Sequence, residues 1–307
     1  MSKYIPSDEL TNAVSVAYQL SMPLLLTGEP GCGKTQCAYW VQEDKYVGEF
    51  KEVLRFNVKT TSSARDLVYR YDAIRHFRDS QKKEVNVLDY IHFTALGQAI
   101  IASANGHRCV VLIDEVDKAP RDFPNDLLFE IENLKFRIEE ATLEEIQTYT
   151  KWNEKLELKK LGIERPNFDE NGIFECSKDK KLHPFLLLTS NSEKNLPDAF
   201  MRRCAYFHLV FPEKKLDEIL AMHKEPLPSA ELQVKLLKVF TDVRNTQGLR
   251  KNPGIAEMLN WLHYIAFLEK TTQKTFKEML IEAAALLAKN KEDNTQLLKF
   301  IENLPKD

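Results

Sequence analysis

The chain has 307 residues, 43% of them hydrophobic and 29% charged, which suffices for one large domain or two, each with a core. Its 43 Lys and Arg against 46 Asp and Glu leave a net charge of −3, a balance that demands neither nucleic acid nor an anionic membrane as partner. No run reaches the roughly 18 apolar residues needed to span a bilayer, and Met1-Ser2-Lys3-Tyr4 does not open a secretory apolar segment.

The first predicted element is Pro23-Leu24-Leu25-Leu26-Thr27, an apolar run that reads as a buried strand. It leads into Gly28-Glu29-Pro30-Gly31-Cys32-Gly33-Lys34-Thr35, a complete G-x-x-x-x-G-K-T loop, and a helix-compatible stretch from Gln36 to Gln42 follows. Glycines let successive backbone N–H groups turn onto a phosphate, and the helix N-terminus adds its positive dipole end. Lys34 is predicted to reach the β- and γ-phosphates and the Thr35 hydroxyl to ligate Mg²⁺, so residues Gly28 to Gln36 are the expected nucleotide contacts. A chain of this length matches such a pattern by accident on the order of one time in a hundred.

Val53–Val58 reads as a second strand, and a polar run, Arg78 to Glu84, follows. A third strand, Cys109-Val110-Val111-Leu112-Ile113, ends in Asp114-Glu115. A hydrophobic run closed by two acids is a weak signal alone and a strong one about eighty residues after a phosphate loop. Ligands of open α/β sheets sit at the carboxyl ends of the strands. Asp114 would hold Mg²⁺ through its water shell, and Glu115 would orient and deprotonate the attacking water.

A long insertion separates Phe136-Arg137-Ile138 from the next strand, Phe185-Leu186-Leu187-Leu188-Thr189. Its first part carries Leu143, Ile146, Tyr149 and Trp152 on helical spacing. That pattern suits a partner-contact helix or a merely solvated one. Asn191, just past the strand, could position the lytic water or simply sit in a turn. Arg202 and Arg203 follow Leu196-Pro197-Asp198-Ala199-Phe200-Met201; they could cap a helix end or act as an arginine finger. A last strand is expected at 205–210. Five amphipathic stretches then fill the C-terminus: Leu216–Met222, Ala230–Arg244, Ile255–Phe267, Phe276–Lys289 and Asn294–Leu304. Cys32, Cys37, Cys109, Cys176 and Cys204 form no C-x-x-C pair, which predicts reduced thiols and a cytoplasmic location.

The order of these motifs resembles that of an AAA+ ATPase, and within that class the MoxR branch. Leu24–Thr35, Leu112–Leu128 and Thr189–Phe211 carry the likeness, which extends from Tyr4 to the C-terminal helices. It implies a P-loop NTPase core over 1–211 with a five-stranded parallel sheet of order 5-1-4-3-2, and an all-helical lid over 212–307. It further implies that Asn191 is sensor 1 and that Arg203, with Arg202 as companion, acts in trans within a ring, most often a hexamer. The implied ligands are ATP and Mg²⁺. The implied partner is a protein client, often with a von Willebrand A-domain protein, and no membrane; nucleic-acid work and a slow nucleotide switch are the other readings. Residues 74–95 fall where relatives carry a hairpin insert in helix 2, and 139–182 fall at the hairpin before sensor 1, which they would elaborate with a helix. One departure concerns sensor 2: alanine, Ala256, stands where the lid arginine is expected, and Arg250 and Lys251 just before it are either substitutes or ordinary helix-flanking charges.

Overall fold

The computed structural model describes residues 4–43, 48–82, 84–191, 195–223, 225–245 and 249–305. The five core strands are β1 (Leu24–Gly28), β2 (Val53–Asn57), β3 (Val110–Asp114), β4 (Phe185–Ser190) and β5 (Ala205–Leu209). They lie in the order β2-β3-β4-β1-β5, which read from the other edge is the expected 5-1-4-3-2. The β1–β4, β2–β3 and β3–β4 pairings are parallel. β1, β3 and β4 are buried at every residue, as central parallel strands covered on both faces must be. β2 and β5 instead alternate between covered and open positions, as edge strands can.

Helices α1 (Asp8–Leu20), α2 (Lys34–Glu43), α3 (Ala95–Ala104) and α4 (Phe123–Asn133) belong to this sheet unit. Ser7 caps α1 by accepting a hydrogen bond from the Leu10 N–H. In α3, Gly97 lies so close to Val68 that an added Cβ would stand 2.0 Å from the Val68 carbonyl oxygen.

Both inserts are hairpins with helices between their strands. Tyr69–Tyr71 pairs antiparallel with Ile91–Phe93, and the intervening helix Ala73–Ser80 leaves Ile74 and Phe77 exposed. Lys135–Arg137 pairs with Ile173–Glu175, enclosing short helices at Leu143–Thr148 and Leu156–Lys160. The second hairpin is no solvated decoration. Ile146, Trp152, Leu158, Leu161 and Phe174 are buried in the main core, and Phe136 stacks on Phe174 with ring centroids 4.9 Å apart.

The two hairpins are fastened to each other. The Lys155 ammonium, buried, donates to the Leu88 and Ile91 carbonyls at 2.7 and 2.6 Å, and burial holds its pKa below the usual lysine range. Tyr149 donates to Asp89 at 2.8 Å, and the Phe93 N–H to Glu157 at 3.0 Å. Trp152→Ala removes the indole at the middle of this cluster and is expected to cost about 3 kcal/mol. Denaturant unfolding of the first unit would measure the loss.

The chain divides into two compact units: Met1–Gly28 with Lys34–His208, and Glu29–Gly33 with Leu209–Asp307. The chain thus leaves the sheet unit at His208, where the sequence placed the change at residue 211, and the middle of the phosphate loop groups with the second unit. That unit contains a short helix, Leu216–Ala221, followed by α5 (Ala230–Asn245), α6 (Ile255–Thr271), α7 (Phe276–Leu287) and α8 (Lys291–Glu302). It is helical throughout its described C-terminal part and has its own core, built around Phe240, Trp261, Ile265 and Leu280. A capping box starts α7, where Glu278 accepts from the Thr275 N–H and the Thr275 hydroxyl from the Glu278 N–H; at α6 Glu257 accepts from the Gly254 N–H.

None of the five cysteines forms a disulfide, and all are buried. Burial raises the Cys37 thiol pKa strongly and pushes Cys109, Cys176 and Cys204 up to about 12. Among the described residues, no helix is long and apolar enough to cross a membrane.

Candidate nucleotide-binding site

The phosphate loop joins the end of β1 to the start of α2. Gly31 and Gly33 have φ of 78° and 97°, a region that side chains disfavour and that turns backbone N–H groups inward. The sequence put the helix start at Gln36; it begins at Lys34, which leaves Gln36 exposed in the first turn. Cys32 is buried inside the loop. The Lys34 side chain is buried too and folds back so that its ammonium donates to the Gly28 carbonyl at 2.8 Å. Lys34→Ala is expected to weaken nucleotide binding about 10- to 100-fold, the worth of one hydrogen bond to a charged group, as read by calorimetry.

Asp114 ends β3 and is 5% exposed. Thr189, at the end of neighbouring β4, donates its hydroxyl to Asp114 Oδ1 at 2.5 Å and accepts from the Glu115 N–H at 2.9 Å. One hydroxyl therefore braces both acids. Thr35 donates more loosely to the two Asp114 oxygens at 3.4 and 3.3 Å. The guanidinium of Arg55, on β2, stands 2.6 Å from Oδ2.

Glu115 adopts the left-handed conformation, φ 62° and ψ 51°. For a residue with a side chain this costs about 1–2 kcal/mol, and it swings the Glu115 carboxylate away from the line of the strand. Lys118 pairs with that carboxylate at 2.7 Å, and the Asn191 amide reaches its other oxygen at 3.5 Å. Asn191 is thus beside the candidate base and not in an isolated turn. A hydroxyl and a carboxylate are the hard oxygen donors that Mg²⁺ takes, and it usually keeps several waters beside them. Thr35 and Asp114 fit that ion.

Arg202 and Arg203 are exposed just past the short helix Asp198–Met201. Arg203 pairs with Glu132 of α4 at 2.7 Å and donates to the Ala199 carbonyl at 3.1 Å. Both contacts lie on its own unit's surface.

In the second unit, Arg244 pairs with Glu29 of the loop at 2.7 Å, donates to the Pro253 carbonyl and covers the Phe211 ring. Ile255 at the start of α6 donates its N–H to the Gly31 carbonyl at 3.3 Å, and Pro30 comes so near Gly254 that a Cβ there would stand 2.9 Å from its carbonyl. Of the two suggested substitutes for sensor 2, Arg250 pairs with Glu292 at 2.8 Å, and Lys251 is exposed. Arg244 is a basic side chain of the second unit that meets the loop.

Four residues of this site escape a reading by motif: Arg55, Lys118, Thr189 and Arg244. Only Thr189 carried a usable signal, a hydroxyl at a strand's carboxyl end just before the expected sensor.

A profile of the family described as "ATPase family associated with various cellular activities (AAA)" matches residues 24–212. Among curated proteins none matches the chain. Among solved structures, Cdc6p from Pyrobaculum aerophilum is similar at 12% identity and a TM-score of 0.49, over 98% of this chain and 72% of that one. A provisionally assigned ATPase from Cytophaga hutchinsonii is similar at 13% identity and a TM-score of 0.39, over 99% of this chain and 91% of that one. The family profile spans more than half of the chain and covers the loop, the Asp114–Glu115 pair, Asn191 and both arginines. With that match and the five-stranded sheet, the chain belongs to the AAA family of nucleotide-binding ATPases.

Proposed function

We propose that the chain is a MoxR-like motor that assembles into a ring, most often a hexamer in this class. In this reading it uses ATP hydrolysis to remodel a partner protein together with a von Willebrand A-domain protein. The observation that carries the reading is the exposed position of Arg203 on Glu132, set against the gathering of Lys34, Thr35, Asp114, Glu115 and Asn191 at the strand ends. Cleavage of a γ-phosphate profits from an arginine that neutralises charge on the equatorial oxygens. A neighbouring copy could supply it.

In this reading Lys34 and the loop N–H groups hold the triphosphate, and Asn191 steadies the attacking water that Glu115 deprotonates. Mg²⁺, when held by Thr35 and Asp114, would offset the negative charge of the phosphate oxygens. Residues 74–95, with Ile74 and Phe77 exposed at their helix, offer an apolar contact for a client.

Sedimentation of Glu115→Gln with ATP tests the assembly. A ring-sized species that forms with ATP and is absent in Lys34→Ala is expected. A protein that stays monomeric in every nucleotide state would remove the motor reading.

A second reading, a slow nucleotide switch, is favoured by the Lys118–Glu115 ion pair, which ties up the candidate base. Release of a single phosphate per protomer followed by a stall would support it.

A further inference from the structure

We propose that Arg55 is the counter-cation of Asp114 and competes with Mg²⁺ for it, so that this β2 arginine sets the metal affinity of the site. The inference rests on the reading above that Thr35 and Asp114 hold the ion.

β2 and β3 run parallel with Asn57 opposite Asp114 and Arg55 opposite Leu112. Side chains two apart on a strand share a face, so Arg55 and Asp114 lie diagonally on one face, where the guanidinium reaches Oδ2 at 2.6 Å. The remaining acceptor positions of the carboxylate are partly used: Oδ1 takes the Thr189 hydroxyl at 2.5 Å, and Thr35 leans on both oxygens. A water-shelled divalent ion at Thr35 must find its place on the same two oxygens. Two like-charged ligands of one carboxylate repel each other, most strongly where burial limits screening.

The two ends of the pair differ in freedom. The Asp114 side chain is 7% exposed and that of Arg55 is 44% exposed, so the arginine is the partner that can yield. It also lines an open groove with Glu52, Gln98, Glu157 and Lys160, so a displaced guanidinium has two carboxylates within that groove. Removing its charge would leave a buried carboxylate held only by hydroxyls, a state a metal ion relieves.

The test is the Mg²⁺ dependence of fluorescent ADP binding, measured without turnover, in wild type, Arg55→Gln, Arg55→Met and Arg55→Lys. Gln and Met both remove the charge, so either one suffices if the other does not fold. In these two, the Mg²⁺ concentration for half-maximal enhancement is expected to fall about fivefold or more, the lower end of typical coupling between two ligands. Arg55→Lys keeps a cation and should stay near wild type. An unchanged or raised Mg²⁺ requirement in the neutral variants would overturn the competition, because a purely structural ion pair would affect folding and not metal affinity. Nucleotide binding in wild type that ignores Mg²⁺ altogether would overturn the metal assignment, and this proposal with it.

Discussion

Arg203→Ala is expected to bind ATP with wild-type affinity and to hydrolyse it about a thousandfold more slowly, the lower end for loss of an arginine finger. Affinity should hold because the guanidinium engages Glu132 and the Ala199 carbonyl in its own chain, and neither belongs to the loop. On the proposed ring reading, turnover should fall because the γ-phosphate of the adjoining copy would lose its cation. Mixing supplies the decisive control. Lys34→Ala protomers do not hold nucleotide well but keep Arg203, so adding them to Arg203→Ala protomers should restore part of the phosphate release. If the mixture is no faster than its components, the arginine does not act across copies.

Glu115→Gln is expected to keep nucleotide affinity while lowering turnover about 10²- to 10⁴-fold, the usual contribution of a general base. The amide has nearly the shape of the carboxylate, so the left-handed turn at 115, the N–H bond to Thr189 and the approach of Asn191 can all persist. What disappears is the basicity and the negative partner of Lys118. Phosphate release and equilibrium binding, measured on the same preparation, separate the two effects. Sustained phosphate release would clear Glu115 of the role of base.

The sheet was readable in the sequence because buried parallel strands must be apolar on both faces. Leu24–Leu26, Val110–Ile113 and Phe185–Leu188 announce themselves as uninterrupted runs, and the glycine loop and the Asp-Glu pair mark two of their ends. The C-terminal helices were readable from their 3.6-residue periodicity. α8 begins at Lys291, earlier than the apolar pattern suggests, because its start is set by the Asn290 cap and its polar first turn.

The resemblance led to a hairpin at each insert, but the strand pairings could not be read, because each strand has three residues and its partner lies about 20 to 40 residues away. Charge also misled: the acids and lysines of 141–182 suggest a surface, while Trp152 and Phe174 at wide spacing form a core. The polar partners of the site were hidden for a different reason. Arg55 meets Asp114, and Arg244 meets Glu29, across 59 and 215 residues, and no local pattern records such meetings. Proximity in sequence to the missing sensor arginine pointed to Arg250, which the Glu292 ion pair holds at the start of α8.

The fastening of the two hairpins by Lys155 and the aromatic cluster limits how this protein can be shortened. Cutting out the stretch ahead of β4 would strip Phe93 and Phe136 of their cover and leave the Leu88 and Ile91 carbonyls without their donor. A trimmed version should therefore collect in the insoluble fraction. Diversity in this segment is open only to its outward-facing positions, such as Leu156 or Lys159, while its inner wall must be inherited intact.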